Sequence, residues 1–162
     1  MDMYYKGFDS DLCGYDKFQF RVGRIYINDI DDNWSWFHYT DLASATIIYF
    51  DNGMRICEVE PLGEVKRFRD PLDGVGKGYF TTSKIHIVRE LSREEIFETL
   101  IAEKCPFFLI TKLDPPYEVL MNYKSEIRGD KCRSILHLGY LSDEQKRILL
   151  PKSWHKYIAG YV

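Results

Sequence analysis

The sequence lacks the features that mark membrane, secreted and zinc-binding proteins. No apolar run approaches the roughly 18 residues that a membrane span needs. The N-terminus has no basic stretch followed by an apolar one, so it predicts no secretory signal. The only cysteines are Cys13, Cys57, Cys105 and Cys132, and none are paired at the short spacing of zinc ligands. We therefore predict four reduced, mostly buried thiols in a reducing compartment, and no metal.

The sequence also lacks an excess of positive charge. The formal net charge is -3, whereas proteins that bind duplex nucleic acid usually carry a basic face. Residues 1–81 have a net charge of -5 and residues 82–162 a net charge of +2, so any basic patch is modest. Nucleic acid is therefore not a predicted partner. Because 45% of the residues are hydrophobic and 29% are charged, the composition predicts a globular fold.

Aromatic residues are abundant. They make up 15% of the chain, with 12 Tyr, 10 Phe and 3 Trp. Aromatic side chains favour strands and are enriched at the centres of protein interfaces. The composition therefore favours a strand-rich core, a protein-binding surface, or both.

Alternating apolar and polar residues predict strands in the first part of the chain. One predicted strand starts at Phe18 and has a bend or bulge at Gly23. Further strands are predicted over residues 34–39, 54–61, 63–68 and 84–89. Residues 69–78 contain three glycines and a proline, which predicts a long loop.

Capping signals predict helices, mainly in the second part. Ser92 and Ser142 each precede a Glu or Gln by three residues, which is the capping-box pattern. Asp41 is predicted to cap a short helix that ends at Asn52-Gly53, although residues 47–50 also fit a strand. We predict an α+β fold: a twisted antiparallel sheet within residues 1–98, and a helical extension over residues 99–162 packed on the same core.

His38 and Thr40 are candidates for a catalytic site because they share one face of a predicted strand. The segment Phe37-His-Tyr-Thr-Asp-Leu-Ala-Ser, followed by Gly53, resembles the NAD-binding segment of some ADP-ribosyltransferases. The resemblance implies that His38 and Thr40 hold the nicotinamide ribose and that Glu58 or a nearby glutamate is catalytic. The interpretation that we favour is structural. His38 and Thr40 fit a half-buried strand, and Glu58 fits the solvent face of a second strand.

A second resemblance covers residues 6–98. It rests on Lys6-Gly-Phe-Asp, on Phe18-Gln-Phe-Arg-Val-Gly-Arg-Ile-Tyr26 and on three later segments. The later segments are Trp36-Phe-His-Tyr39, Glu58-Val-Glu-Pro-Leu-Gly-Glu-Val65 and Thr82-Ser-Lys-Ile-His-Ile-Val-Arg-Glu-Leu-Ser92. Together they resemble an uncharacterised domain family of tailed phages and giant DNA viruses. Trp36 stands where that family usually has glycine, and the resemblance implies a viral protein of unspecified role.

We therefore expect a viral, non-enzymatic protein that binds other viral or host proteins, as a minor virion component or in the host cytoplasm. The enzymatic alternative is an NAD-dependent ADP-ribosyltransferase acting on host macromolecules. No cofactor is expected for the favoured function. The candidate contact residues are the aromatic ones at Trp34, Trp36, Trp154, Tyr157 and Tyr161, since exposed aromatic side chains anchor many interfaces.

Overall fold

The structure, a computed structural model, describes residues 3–14, 17–30, 35–47, 54–67 and 78–160. The chain forms two compact units, Met1–Glu103 and Lys104–Val162.

An antiparallel sheet forms the framework of the first unit. Within the described residues it has seven strands, in the order β2-β7-β4-β1-β3-β6-β5, so β2 and β5 are its edges. The strands are β1 (Tyr4–Phe8), β2 (Ile25–Ile27), β3 (Phe37–Thr40), β4 (Arg55–Pro61), β5 (Val65–Arg67), β6 (Tyr79–Thr82) and β7 (Lys84–Glu90). The predicted α+β fold, with its antiparallel sheet in the N-terminal part, is confirmed.

The central strand β1 is one that the sequence analysis did not predict. It pairs with β4 on one side and with β3 on the other. Its apolar pattern is interrupted by Lys6 and Gly7, and glycine in particular disfavours strands. Both residues are accommodated locally. Gly7 is buried opposite Ile56, and the Lys6 ammonium donates a hydrogen bond to the His38 carbonyl at 2.8 Å.

The two faces of this sheet differ in what covers them. On the first face lie Tyr5, Ile56 and Tyr79, and the Tyr79 hydroxyl donates to the Ala45 carbonyl of the short helix α1 (Ala43–Thr46) at 3.2 Å. On the second face an aromatic and aliphatic core forms over the middle strands and includes residues from the loop after β1. Its buried members are Phe8, Leu12, Phe20, Tyr39, Cys57, Val59, Ile85 and Ile87.

The bend predicted at Gly23 is a β-bulge. The Gly23 N–H donates to the Ile87 carbonyl at 2.7 Å, and the Ile87 N–H donates to the Arg24 carbonyl at 2.9 Å. Two residues of one strand therefore lie opposite one residue of its neighbour, and glycine suits the position because its φ is +77°. β2 begins only after the bulge. Residues 18–20 are not part of it and form only an isolated bridge between Gln19 and Cys13.

Two helices complete the first unit. The capping box predicted at Ser92 is present and starts α2 (Arg93–Ala102). The prediction that Asp41 caps a helix is wrong, because α1 begins after Leu42 and has no side-chain cap of its own. The Glu103 carboxylate caps it instead, accepting the Ala43 and Ser44 N–H groups at 2.7 and 2.8 Å. The predicted end of this helix, at residues 52–53, lies outside the described residues.

The second unit is helical. It contains α3 (Phe107–Ile110), α4 (Tyr117–Met121), α5 (Asp130–His137), α6 (Asp143–Leu149) and a terminal 3-10 helix (Lys152–Gly160). The capping box predicted at Ser142 is present and starts α6. Leu120, Ile127, Ile135 and Leu149 are nearly inaccessible to solvent and form much of its interior. Among the described residues of the whole chain, no helix has the length and apolar character needed to cross a membrane.

The burial of the thiols gives a direct chemical test of this core. None of the four cysteines, all of which lie within the described residues, forms a disulfide; Cys57 is fully buried, and burial raises its pKa to about 12. Because the thiolate is the reactive form, we expect iodoacetamide at mildly alkaline pH to label the half-exposed Cys13 and to spare Cys57 in the folded protein. Peptide mass spectrometry would measure both, with a denatured sample as the control in which all four react. Equal labelling of Cys13 and Cys57 in the folded protein would contradict the packing described.

Candidate functional site

The structure places the three predicted catalytic residues on the first face of the sheet. His38 and Thr40 lie on β3, and Glu58 lies on β4. Tyr5 of β1 is opposite Thr40 on one side and opposite Glu58 on the other. Strands in a sheet are about 4.8 Å apart, so the Thr40 and Glu58 backbones are separated by about 10 Å with the Tyr5 side chain between them.

The Glu58 carboxylate is engaged in an ionic network. It accepts a hydrogen bond from Arg89 Nε at 2.9 Å, and Arg89 Nη1 donates to Glu95 at 2.8 Å. These hydrogen bonds raise the pKa of Arg89, and the one to Glu95 has the largest effect. Arg89 lies directly opposite Glu58 in the sheet, so the two side chains form a cross-strand ion pair. The Glu58 carboxylate therefore already has a partner.

Thr40 and Tyr5 have structural partners as well. Thr40 is 3% exposed, and its hydroxyl accepts the Leu42 N–H at 3.1 Å in the turn that leads to α1. Tyr5 is buried, and its pKa is raised chiefly by that burial and then by the charges of Glu103 and Glu58. Packed side chains therefore occupy the space between Thr40 and Glu58.

A groove of about 520 Å³ opens beside this region. The residues that line it are Met3, Tyr4, Tyr5, Asp41 and Phe80. Among the described residues, its wall does not include His38, Thr40 or Glu58. The groove therefore does not join the predicted catalytic residues into one cleft.

The aromatic contact candidates differ in exposure. Trp36 is 5% exposed; its Nε1 donates to the Ile30 carbonyl at 2.8 Å, and the Lys66 ammonium lies 4.3 Å from the ring centroid. In the second unit, Trp154 is half-buried and Tyr157 is exposed, with 5.5 Å between their ring centroids. Trp34 and Tyr161 lie outside the described residues. Of the three that are described, Tyr157 offers the most surface to a partner.

Sequence reasoning missed the exposed apolar surface at edge strand β2. The side chains of Ile25 and Ile27 are 51% and 61% exposed on the first face of the sheet. They lie opposite His86 and Lys84 of β7, and these four residues are called the β2 surface below. The alternation Arg24-Ile-Tyr-Ile indicated that both isoleucines share one face, but it could not indicate which face the rest of the chain covers.

The backbone of β2 is also available for pairing. The carbonyl of Arg24 and the N–H of Asn28 bond to β7, at Ile87 and Ser83 respectively. Because the direction of bonding alternates along an antiparallel strand, the N–H and C=O groups of Ile25 and Ile27 point away from β7. No other strand of the described residues pairs with β2 on that side.

The opposite edge of the sheet has a different character. β5 carries Lys66 and Arg67 beside Val65, and charged residues on an edge strand discourage pairing with other chains. β2 has no charged residue between Arg24 and Asp29. Of the two edges, only β2 therefore combines open backbone groups with half-exposed isoleucines. This combination makes the β2 edge the candidate binding site.

Residues 3–99 match a family model that is described as Domain of unknown function (DUF7666). The chain belongs to this family. The DUF7666 region contains all seven strands and α1, so the β2 surface lies entirely within it. No curated protein matches the chain significantly. The family description names neither an activity nor a source.

Proposed function

We propose that this chain is a non-enzymatic protein-binding protein and a minor virion component of a phage or giant DNA virus. The observation that carries the binding function is the β2 surface, where two isoleucines are more than half exposed beside outward-facing backbone groups. The viral assignment is supported by the resemblance of residues 6–98 to a family of tailed phages and giant DNA viruses.

The β2 surface suits an extended segment of another protein chain. Such a segment can add a strand to an open sheet edge, where backbone hydrogen bonds supply affinity and alternate side chains supply specificity. Side chains of the added strand would then partly cover Ile25 and Ile27, and burial of apolar surface favours association by roughly 25 cal/mol per Å² before the entropic cost of binding. Leaving them exposed offers no such gain.

The enzymatic alternative has less support. His38, Thr40 and Glu58 do share one face of the sheet, which is the observation in its favour. However, the Glu58 carboxylate is paired with Arg89, and the Thr40 hydroxyl is buried and bonded to its own turn. A ribose would have to displace these contacts before either residue could bind or react.

Mass spectrometry of purified virions, combined with photo-cross-linking, tests the proposal. Benzoylphenylalanine is placed at Ile27 in the virus-encoded protein, and at Val65 of the opposite edge as the matched control, since Val65 is 46% exposed. We expect the chain among the virion proteins and a discrete adduct from position 27 that is much weaker from position 65. Absence from virions would refute the virion assignment. Failure of position 27 to exceed position 65, in both virions and infected cells, would refute binding at β2.

A further inference from the structure

We infer that the partner of the β2 edge is a second copy of this chain, paired β2 to β2 in the antiparallel sense. The inference rests on the proposed function, because it assumes that the β2 edge is a binding site. It names the occupant of that site and the geometry by which it binds.

The strand is geometrically self-complementary. The outward backbone groups belong to Ile25 and Ile27, which flank Tyr26 symmetrically. A two-fold axis through Tyr26 places Ile25 of one copy opposite Ile27 of the other, so that each outward N–H meets an outward C=O. The four isoleucines then lie side by side on one face. Such an isologous contact closes on itself and limits the assembly to a dimer through this edge.

The charges that flank the strand are also self-complementary. Exposed Arg21 and Arg24 precede it, and exposed Asp29 follows it. Within the described ranges, neither Arg24 nor Asp29 belongs to an ion pair of its own chain. In this register Arg24 lies opposite Asn28 and Asp29 lies opposite Gly23. Antiparallel pairing therefore brings the basic end of each strand near the acidic end of the other, without a direct cross-strand ion pair. Parallel pairing would bring like charges together, so the charge pattern favours the antiparallel dimer.

The dimer is expected to be weak, because a three-residue strand buries much less than the roughly 1,600 Å² of a standard interface. Sedimentation equilibrium of the purified full chain over a micromolar concentration series should therefore show a reversible rise in mass from 19.2 kDa toward twice that value.

Two sets of variants test where the dimer forms. Ile27→Lys should raise the dissociation constant about tenfold, because it removes an apolar contact of the strand pair and places a charge on the edge strand beside Lys84. Val65→Lys, the same chemical change on the other edge, should leave it unchanged. Circular dichroism melts establish that both variants are folded. Arg24→Glu should weaken the dimer by about two- to fourfold, because the charges at the strand ends are exposed, and Arg24→Glu combined with Asp29→Lys should restore it.

The charge-swap result separates a second copy from a different protein, since only a self-paired strand is restored by two changes in the same chain. A monomer at every concentration would overturn the inference, as would a dimer that Ile27→Lys does not weaken or a double variant that fails to recover. If the chain is monomeric but benzoylphenylalanine at position 27 still forms an adduct with a different virion protein, the inference fails and the proposed function stands. An adduct at twice the chain mass, with recovery in the double variant, supports both.

Discussion

Replacing Phe8 with alanine is expected to lower the free energy of unfolding by about 3–5 kcal/mol, the range found for buried phenylalanines. Phe8 is fully buried on the second face of the sheet, and its ring centroid lies 5.1 Å from that of Phe20. Phe20 in turn packs against Tyr26 of β2, at 5.0 Å between centroids. A cavity at Phe8 would therefore loosen the packing beneath the β2 edge. Guanidinium denaturation followed by circular dichroism measures the change.

Phe18→Ala is the matched control for this prediction. Phe18 also contacts the Phe20 ring, at 4.8 Å between centroids, but it is 45% exposed. Its removal loses an aromatic contact without leaving a closed cavity, so a loss of about 1 kcal/mol is expected. If the two substitutions lowered the free energy of unfolding equally, the core would not be centred on Phe8 as the structure has it.

Replacing Glu103 with alanine is expected to lower the free energy of unfolding by about 1–3 kcal/mol. Its carboxylate accepts the N–H groups of Ala43 and Ser44, and α1 has no side-chain cap from its own segment. Ala43 is fully buried, so without Glu103 its N–H is left without a partner away from water. Urea denaturation of the wild type and the variant measures this loss.

Glu98→Ala and Glu103→Gln bracket that result. Glu98 is an exposed glutamate of α2, the helix that Glu103 follows directly, so its replacement should change the free energy of unfolding by less than about 0.5 kcal/mol. Glu103→Gln keeps one acceptor oxygen and should lose less than Glu103→Ala. A loss as large for Glu98→Ala would indicate a general effect of charge removal from α2 and would contradict the capping role.

The capping role of Glu103 shows why the surroundings of the predicted catalytic residues were only partly predictable. The local pattern around Asp41 is a capping signal, and local patterns cannot register an acceptor that arrives from 60 residues later in the chain. The same limit applies to Tyr5, which stands between Thr40 and Glu58 only because β1 inserts between β3 and β4. The sequence indicated that His38 and Thr40 share a face, and it could not indicate what separates them from a glutamate.

The sequence by itself determined the elements that depend on neighbouring residues. Periodicity explains the strands at 55–61, 65–67 and 84–90. Backbone conformation explains the bulge at Gly23, and short-range hydrogen bonds explain both serine capping boxes. The tertiary structure decided the strand order, which placed β1 at the centre and β2 at an edge. It also decided the exposure of Ile25 and Ile27, because an alternating strand has the same sequence whichever of its two faces the rest of the chain covers.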